Sequence, residues 1–323
     1  MVGSYVAREL IAKGERPVLL DLSPDFEQIS DIRSDVSVVK GNVLDLLGMI
    51  RIIKNENVER IVHTAGMLAL GIAQDPVTAV RVNVEGGANV LEAARLTGAK
   101  RVVFISTRQV YDFTLEMTKP VDENFPTSPG GIYATTKLAC EHLGRNYRDL
   151  YGIEFAALRF ARVFGPGYWS PSSTPNVGTR AIKEIIEGCL RGRSISMERP
   201  VGERDEWLYA RDAARAIVCA LVAKPLVHTA FNIGSGVSYH FDDMVAAIRE
   251  QIPNADIKIL DQAPQKLAHG VYQTLMPIPT DISRADRELG YKPRFLLKAA
   301  IKDYVETLNR KWESAGSLTK TGG

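Results

Sequence analysis

The sequence predicts an α/β fold in which a doubly wound parallel sheet carries a smaller C-terminal lobe over its cleft. Apolar runs of strand length alternate with helical patterns as far as residue 160, and this alternation is typical of a parallel sheet with helices on both faces. Further along, the strict alternation ends. With 323 residues, the chain is long for one simple domain. We therefore expect residues 1–178, together with about 201–236, to form the sheet domain. Residues 179–323 form mainly the lobe, with a disordered tail at 314–323.

Composition and charge exclude several classes of protein. The net charge is +2 and no basic run suits nucleic acid, so we expect no nucleic-acid partner. We find no signal peptide and no apolar run long enough to span a membrane, so we expect no membrane partner. The three cysteines, Cys140, Cys189 and Cys219, stand singly in helical patterns. That spacing indicates buried thiols in a reducing cytoplasm rather than disulfides or a metal site.

Five short apolar runs, bounded by turn residues, predict the strands of the sheet. They are residues 17–21, 34–40, 60–66, 102–107 and 155–160. His63 lies inside the third of these runs, so we interpret it as a structural residue.

The helical patterns between these runs carry their own start and stop signals. They cover residues 1–14, 45–55, 76–98 and 133–151. Gly14 is a C-cap signal and Asp45 an N-cap signal, while Pro76 suits the first turn of a helix. The loop 111–131 contains three prolines and follows the fourth strand, where a substrate pocket is expected.

The second half of the chain is less regular. Residues 168–178 are rich in Pro, Gly and small polar residues, which suits a mobile substrate loop. We expect Trp207–Lys224 and Ala230–Gly234 to return to the sheet. Asp212 is interpreted as a helix cap rather than as a catalytic residue.

Candidate catalytic residues lie between positions 106 and 137. Tyr133 and Lys137 are four residues apart, so a helix places them on one face. An ammonium about 5 Å away favours the phenolate by roughly 3 kcal/mol at an effective dielectric of ~20, or about two pK units. The phenol then comes within range for general acid–base chemistry. Thr107, at the end of the strand, is expected to share the proton and hold an alcohol oxygen of the substrate.

The combination of motifs resembles the extended short-chain dehydrogenases/reductases, the NAD-dependent epimerase/dehydratase family. The matching stretches are Thr107–Tyr111, Tyr133-x-x-x-Lys137, Leu158–Gly167 and Phe231–Gly236. The similarity covers roughly residues 1–312. It implies a Rossmann-type fold and NAD as cofactor. It is a weak guide to the substrate.

The resemblance also implies a set of cofactor-binding residues. They are Gly3, Asp21, Asn42, Val43, Ala65, Gly66, Asn83, Ser106, Tyr133, Lys137, Phe160 and Val163. Asp21 would accept hydrogen bonds from the adenosine ribose and repel a 2′-phosphate, so NAD is expected over NADP. Lys137 would hydrogen-bond the nicotinamide ribose, and residues 160–163 would pass the nicotinamide face.

The N-terminus departs from the family pattern. Only Gly3 remains of the family's glycine-rich turn, and the strand before that turn is absent. A missing central strand would leave both of its neighbours without a partner on one side. Three explanations compete, namely a misassigned start codon, a truncated chain and weak cofactor binding. We favour the first, because the later motifs are those of an intact enzyme.

Departures from the family pattern narrow the range of expected substrates. Arg108 and Gln109 replace the Asp-Glu pair of the sugar-nucleotide dehydratases, so dehydration is not expected. Arg162 replaces an Asn that is common in nucleotide-sugar epimerases. Arg204 resembles their diphosphate-binding Arg but lies one residue out of register with Asp212.

Three functions remain open. The first is a nucleotide-sugar epimerase that oxidises C4, rotates the keto-sugar and reduces it from the other face. The second is a dehydrogenase of a small sugar acid or hydroxy acid, with Arg108 and Arg162 pairing with a carboxylate. The third is a non-catalytic nucleotide sensor. Substrate-binding candidates are Thr107, Arg108, Arg162 and Arg204, and we expect a homodimer that pairs helices 76–98 and 133–151.

Overall fold

The computed structural model describes residues 1–68, 72, 74–167, 179–198, 204–260 and 277–314. The strands are Val18–Asp21 (β1), Ser37–Lys40 (β2), Arg60–His63 (β3), Arg101–Thr107 (β4), Glu154–Phe160 (β5), Arg162–Phe164 (β6), Ile195–Glu198 (β7), Arg204–Tyr209 (β8), Ala230–Ile233 (β9), Ser238–His240 (β10) and Ile257–Leu260 (β11). The α-helices are Val2–Ile11 (α1), Leu46–Asn55 (α2), Pro76–Val80 (α3), Gly86–Thr97 (α4), Ile132–Tyr151 (α5), Thr179–Leu190 (α6), Ala210–Val222 (α7), Phe241–Gln251 (α8), Ser283–Leu289 (α9) and Leu297–Ser314 (α10).

The central sheet has four parallel strands in the order β3-β4-β5-β9. Strands β1 and β2 form a separate parallel pair. Within the described residues, β1 pairs only with β2 and β3 only with β4, so each has one open edge. The α/β fold with a helix-covered parallel sheet, predicted from the sequence, is confirmed.

Alternate side chains of the central strands enter two different cores. Val102 and Phe104 pack with α2, α4 and α5 on one face. Val103 and Leu158 pack with α1 and α7 on the other. Because side chains of a strand alternate between faces, a strand buried on both sides reads as a continuous apolar run. This double burial explains the run at residues 102–105.

Two of the sequence signals at helix ends, Asp45 and Pro76, match the structure, whereas α1 ends at Ile11 with Ala12 rather than Gly14 as its C-cap. Asp45 caps α2, and its carboxylate accepts the backbone N–H of Gly48 at 2.9 Å. Gly98 and Gly152 end α4 and α5 with φ of 75° and 73°, in the left-handed region that favours glycine. The helix that begins at Pro76 contains a π-helical turn, Arg81–Glu85, between α3 and α4.

The second half of the chain builds smaller sheets beside the central one. Strand β8 pairs with β6 and β10, and β7 pairs with β11. The expectation that the strand at Trp207 returns to the central sheet is therefore wrong, while Ala230–Ile233 does join it beside β5. A separate core of apolar side chains from β6, β8, α6, α8 and α10 fills this region.

Two predicted segments fall where little is described. The predicted mobile loop at 168–178 lies outside the described residues, as does the predicted tail beyond Ser314. In the described part of the chain, no helix is long and apolar enough to cross a membrane.

Candidate active site

The candidate catalytic residues meet at the carboxyl ends of β4 and β5. Thr107 ends β4 and pairs in register with Phe160, the last residue of β5. Helix α5 begins at Ile132 and packs against both strands. Tyr133 therefore lies in its first turn, and Lys137 follows one turn later. The carboxyl edge of a parallel sheet is the usual place for a ligand.

Lys137 is buried and makes one direct hydrogen bond to the central sheet. Its ammonium donates to the Ile105 carbonyl at 2.8 Å and lies 4.8 Å from the centre of the Phe104 ring. The centre of the Tyr133 ring is 5.8 Å away. Burial lowers the pKa of Lys137 to about 8. The ammonium is thus largely charged at pH 7 and close to the phenol.

The two hydroxyls at the end of β4 have different surroundings. Thr107 is buried, and its oxygen accepts the backbone N–H of Gln109 at 3.3 Å. The Thr107 hydroxyl hydrogen is therefore left to donate elsewhere. The Ser106 hydroxyl instead donates to the Glu141 carboxylate at 2.5 Å. Ser106, predicted to bind the cofactor, thus has its donor engaged inside the protein.

Glu141 was not found from the sequence, although its position gives a signal. It lies four residues after Lys137, so it continues the helix face that carries Tyr133. Its carboxylate accepts hydrogen bonds from the Arg159 guanidinium, with 2.6 Å between Arg159 Nη2 and Glu141 Oε2. Both side chains are almost fully buried, at 3% and 4% exposed. A hydrogen-bonded ion pair thus supports the strand end next to Thr107.

Asn83 braces the site from the π-helical turn. Its side chain accepts the Met67 N–H at 2.7 Å and donates to the Met67 carbonyl and the Thr136 hydroxyl. A Cβ at Gly66 would lie 3.1 Å from the Asn83 amide oxygen and 3.5 Å from the Lys137 ammonium. The backbone at Gly66 therefore passes close to Lys137, and the missing side chain leaves room at this edge. Ala65, beside it, is exposed.

The residues predicted to hold the adenosine end lie around β1 and β2. Asp21 is exposed at the end of β1, and one of its oxygens accepts the Ser23 N–H at 2.8 Å. Asn42 is exposed, and its amide oxygen accepts the Leu44 N–H at 3.0 Å. Val43 is buried.

Gly3 lies in the first turn of α1, where a Cβ would come within 3.6 Å of the Thr64 hydroxyl. Two features of these surroundings suit a dinucleotide. The exposed Asp21 carboxylate lies at the end of β1, and the backbone at Gly66, which has no side chain, passes close to Lys137. Phe160 is buried at the end of β5, and Val163 is half-buried in β6.

All three arginines predicted to bind the substrate, namely Arg108, Arg162 and Arg204, have protein partners. Arg108 is buried and donates to one oxygen of Asp205, while Arg162 donates through Nε to the other. Arg204 donates to the Ser238 carbonyl and lies 3.0 Å from the Nε2 of His240. The Arg108 side chain is only 4% exposed, so a substrate does not reach its guanidinium directly. Sequence reasoning missed Asp205, because its partners are distant in the chain.

Two further polar residues have structural surroundings. His63 is buried, and burial together with the Lys137 charge lowers the pKa of its ring to about 3, so the ring is neutral. Asp212 does not cap α7, because Tyr209 holds the N-cap position. Its carboxylate instead accepts the backbone N–H groups of Arg294 and Phe295. The expected cap role of Asp212 is therefore wrong, although the residue is indeed structural.

Comparison with known proteins places the chain among related sequences. A family model described as the NAD dependent epimerase/dehydratase family matches residues 1–234. The chain is 27% identical to a putative UDP-glucose 4-epimerase of Methanocaldococcus jannaschii, with 94% of each covered. It is 25% identical to UDP-glucuronate 4-epimerase 4 of Arabidopsis thaliana, covering 94% of this chain and 72% of that protein.

A solved structure gives a similar picture of the fold. UDP-glucose 4-epimerase of Thermotoga maritima, solved with UDP-glucose, superposes with a TM-score of 0.81 at 22% identity. The match covers 96% of each chain. At this identity the likeness shows the fold.

Proposed function

The chain belongs to the NAD-dependent epimerase/dehydratase family, and we propose from this that it is a sugar-nucleotide 4-epimerase with Thr107, Tyr133 and Lys137 at its reacting centre. It is an NAD-dependent enzyme of the extended short-chain dehydrogenase/reductase type. The observation that carries the proposal is the buried Lys137 ammonium, 5.8 Å from the Tyr133 ring at the carboxyl edge of the sheet. Family membership sets aside the alternative of a non-catalytic sensor.

In this proposal the protein's own groups handle the proton. Tyr133 removes the proton from the C4 hydroxyl of the sugar. It returns this proton after the keto-sugar has rotated in the site. Lys137 lowers the cost of the phenolate through its charge. Thr107 donates its hydroxyl hydrogen to the reacting oxygen and orients it. NAD, when bound, would supply the hydride chemistry at C4, so that the keto-sugar can be reduced from its opposite face.

We propose that the two ends of NAD are held by separate groups of residues. Gly3, Asp21, Asn42 and Val43 lie toward the adenosine end. Ala65, Gly66, Asn83, Ser106, Tyr133, Lys137, Phe160 and Val163 lie toward the nicotinamide end. Asn83 acts by holding the Met67 backbone, and Ser106 by its bond to Glu141, rather than by direct contact. Asp21 disfavours a 2′-phosphate by its charge.

A second candidate is an NAD-dependent dehydrogenase of a small sugar acid or hydroxy acid. The partly exposed Arg162 guanidinium favours it, with the charge of the buried Arg108 behind it, because both residues follow the carboxyl ends of β4 and β5. The same catalytic residues would serve this reaction, which stops after one oxidation. Arg204 would then have no diphosphate to bind.

Product analysis separates the two candidates. The protein is supplied with NAD and either UDP-glucose or UDP-glucuronate, and proton NMR follows the anomeric signals of the sugar. An epimerase produces the 4-epimer without net NADH. A dehydrogenase accumulates NADH at 340 nm with a sugar acid and forms no epimer. Absence of the 4-epimer from both nucleotide sugars would overturn the epimerase proposal.

We also propose a homodimer and a cytoplasmic location. Exposed apolar side chains on helices α3–α5 support the dimer, among them Val77 at 70%, Leu150 at 72% and Tyr151 at 52% exposed. Such side chains favour burial against a second copy. Cys140, Cys189 and Cys219 are free thiols, in keeping with a reducing compartment. Light scattering at micromolar protein tests the dimer, and a monomer would contradict it.

A further inference from the structure

Strand β8 separates two neighbouring charged residues onto opposite faces. Arg204 points toward β10, where its guanidinium meets the Ser238 carbonyl and the His240 ring. Asp205, next along the strand, points the other way and is buried at 4% exposed. Because strand side chains alternate, the carboxylate rather than the arginine of this pair faces the ends of β4 and β5.

Asp205 joins two arginines through its two oxygens. One oxygen accepts from Arg108 and from the backbone N–H of Glu206 at 2.8 Å, and the other accepts from Arg162 Nε. Although burial acts to raise it, the two guanidiniums hold the pKa of the Asp205 carboxyl below its usual range. Asp205 is therefore ionised and carries one negative charge against two positive charges.

Arg108 is the inner member of the pair and cannot reach a ligand directly. Its side chain is only 4% exposed, and its Nη1 group has no hydrogen-bond partner among the described residues. Glu206 Oε2 lies 3.9 Å from that group but already accepts from the backbone and hydroxyl of Thr280. Arg108 thus adds positive charge beneath the site and supports Asp205.

Arg162 is the outer member. Its side chain is 22% exposed and its guanidinium lies 5.6 Å from the centre of the Trp207 ring. Only Nε is used by Asp205, and the two terminal amino groups have no hydrogen-bond partner in the described part of the chain. Arg162 begins β6, two residues after Phe160, which pairs with Thr107. These amino groups are therefore close in the fold to the strand ends that carry the reacting centre.

We propose that Arg162 binds a carboxylate on the reacting sugar, with Asp205 as the positioning residue that orients its guanidinium. The inference rests on the proposed function and names its substrate class, a uronic-acid sugar rather than its neutral counterpart. A guanidinium held by Nε and lying over an indole keeps Nη1 and Nη2 in one plane. That fork matches the two oxygens of a carboxylate.

The test compares UDP-glucuronate with UDP-glucose, which differ in the carboxylate at C6. Calorimetry on the NAD-loaded protein gives the two dissociation constants and their ratio. The parent protein should prefer UDP-glucuronate by about 10- to 100-fold, the usual worth of a charge-assisted hydrogen bond. Arg162→Gln should bring this ratio to about 1, and Arg162→Lys should leave an intermediate value.

Arg211 offers a matched control. Its Nε meets the Asp303 carboxylate at 3.0 Å and its guanidinium lies 5.9 Å from the Phe295 ring, so it repeats the local chemistry of Arg162 outside the proposed site. Arg211→Gln should keep the parent's ratio. Asp205→Asn should raise the KM for UDP-glucuronate with less change in kcat. Because Asp205 is buried, circular dichroism first checks that the Asp205→Asn variant is folded. If this variant is unfolded, the Arg162 variants alone decide the test.

The outcomes separate this inference from the proposed reaction. A parent ratio near 1, or a ratio unchanged in Arg162→Gln, overturns the carboxylate site whether or not the 4-epimer forms. A ratio lost in Arg162→Gln supports it, even if no epimer appears. If neither nucleotide sugar binds, D-glucuronate and D-glucose replace them in an NADH assay. The proposal then requires that the parent protein prefers D-glucuronate over D-glucose and that Arg162→Gln loses this preference.

Discussion

The ammonium of Lys137 lies 5.8 Å from the centre of the Tyr133 ring, one helical turn along α5. The ammonium is also tied to the end of β4 through the Ile105 carbonyl. The charge that favours the phenolate is therefore held by the sheet as well as by the helix. This arrangement makes the roles of the two residues separable by mutation.

Tyr133→Phe should abolish most turnover and spare cofactor binding. The substitution removes the transferable proton and keeps the ring, so we expect a loss of about 10²–10⁴-fold in kcat. NAD titration by calorimetry should give a dissociation constant close to the parent's. More than half of the parent's turnover in Tyr133→Phe would mean that another group carries the proton.

Lys137 should titrate far below the surface lysines. Burial lowers its pKa from 10.5 to about 8, so between these values the folded state binds fewer protons than the unfolded state. The contribution of this group to stability is therefore least below pH 8 and rises up to pH 10.5. NMR of protein labelled with ¹³C at lysine Cε should show one signal with a midpoint near pH 8, missing in Lys137→Met. A midpoint above pH 10 would contradict the burial.

Glu141→Gln should destabilise the fold strongly. Removing one charge of the buried pair leaves the Arg159 guanidinium without a counter-ion, which costs about 3–5 kcal/mol. Glu59→Gln is the control, because the Glu59–Lys100 pair is exposed and its loss should leave stability nearly unchanged. Urea unfolding measures both. Equal effects from the two variants would show that the buried pair is not formed in solution.

Gly144→Ala should destabilise although alanine is the better helix former. A Cβ at Gly144 would lie 2.2 Å from the Phe155 ring, so helix α5 would have to move off β5. Overpacking of this kind costs about 1–3 kcal/mol, more than the ~1 kcal/mol gained in helix propensity. Thermal unfolding should show a lower Tm, and adding Phe155→Leu should recover part of it. A raised Tm in the single variant would exclude the close contact.

The elements that the sequence predicted well have local causes. The expected helix 133–151 is found at Ile132–Tyr151, because its apolar spacing lies within the segment and Gly152 follows it directly. The strand expected at 155–160 is found at Glu154–Phe160 for the same kind of reason. The sequence spacing alone predicted that Tyr133 and Lys137 share one face of the helix, since residues four apart on a helix are neighbours.

The features that escaped prediction depend on distant partners. The sequence of strand β8 has an ordinary strand pattern. This pattern does not predict that β6 and β10 are its neighbours in the sheet. Asp205 gains its role from Arg108 and Arg162, which are 97 and 43 residues away along the chain. Asp212 likewise binds backbone groups 82 and 83 residues further on. Such contacts follow from topology, which local periodicity does not encode.

The π-helical turn at Arg81–Glu85 widens the helix that contains it at the position of Asn83. A π turn holds one residue more than an α turn, and here the Asn83 carbonyl accepts the Cys140 thiol at 3.1 Å. Excising one residue from this turn would restore even α-helical winding and leave α3 and α4 in the same rotational phase, because the extra residue is taken up within a single turn. The Asn83 amide would then swing away from Met67. A single-residue deletion far from Tyr133 in sequence would thus remove the hydrogen bonds that hold the Met67 backbone beside the site.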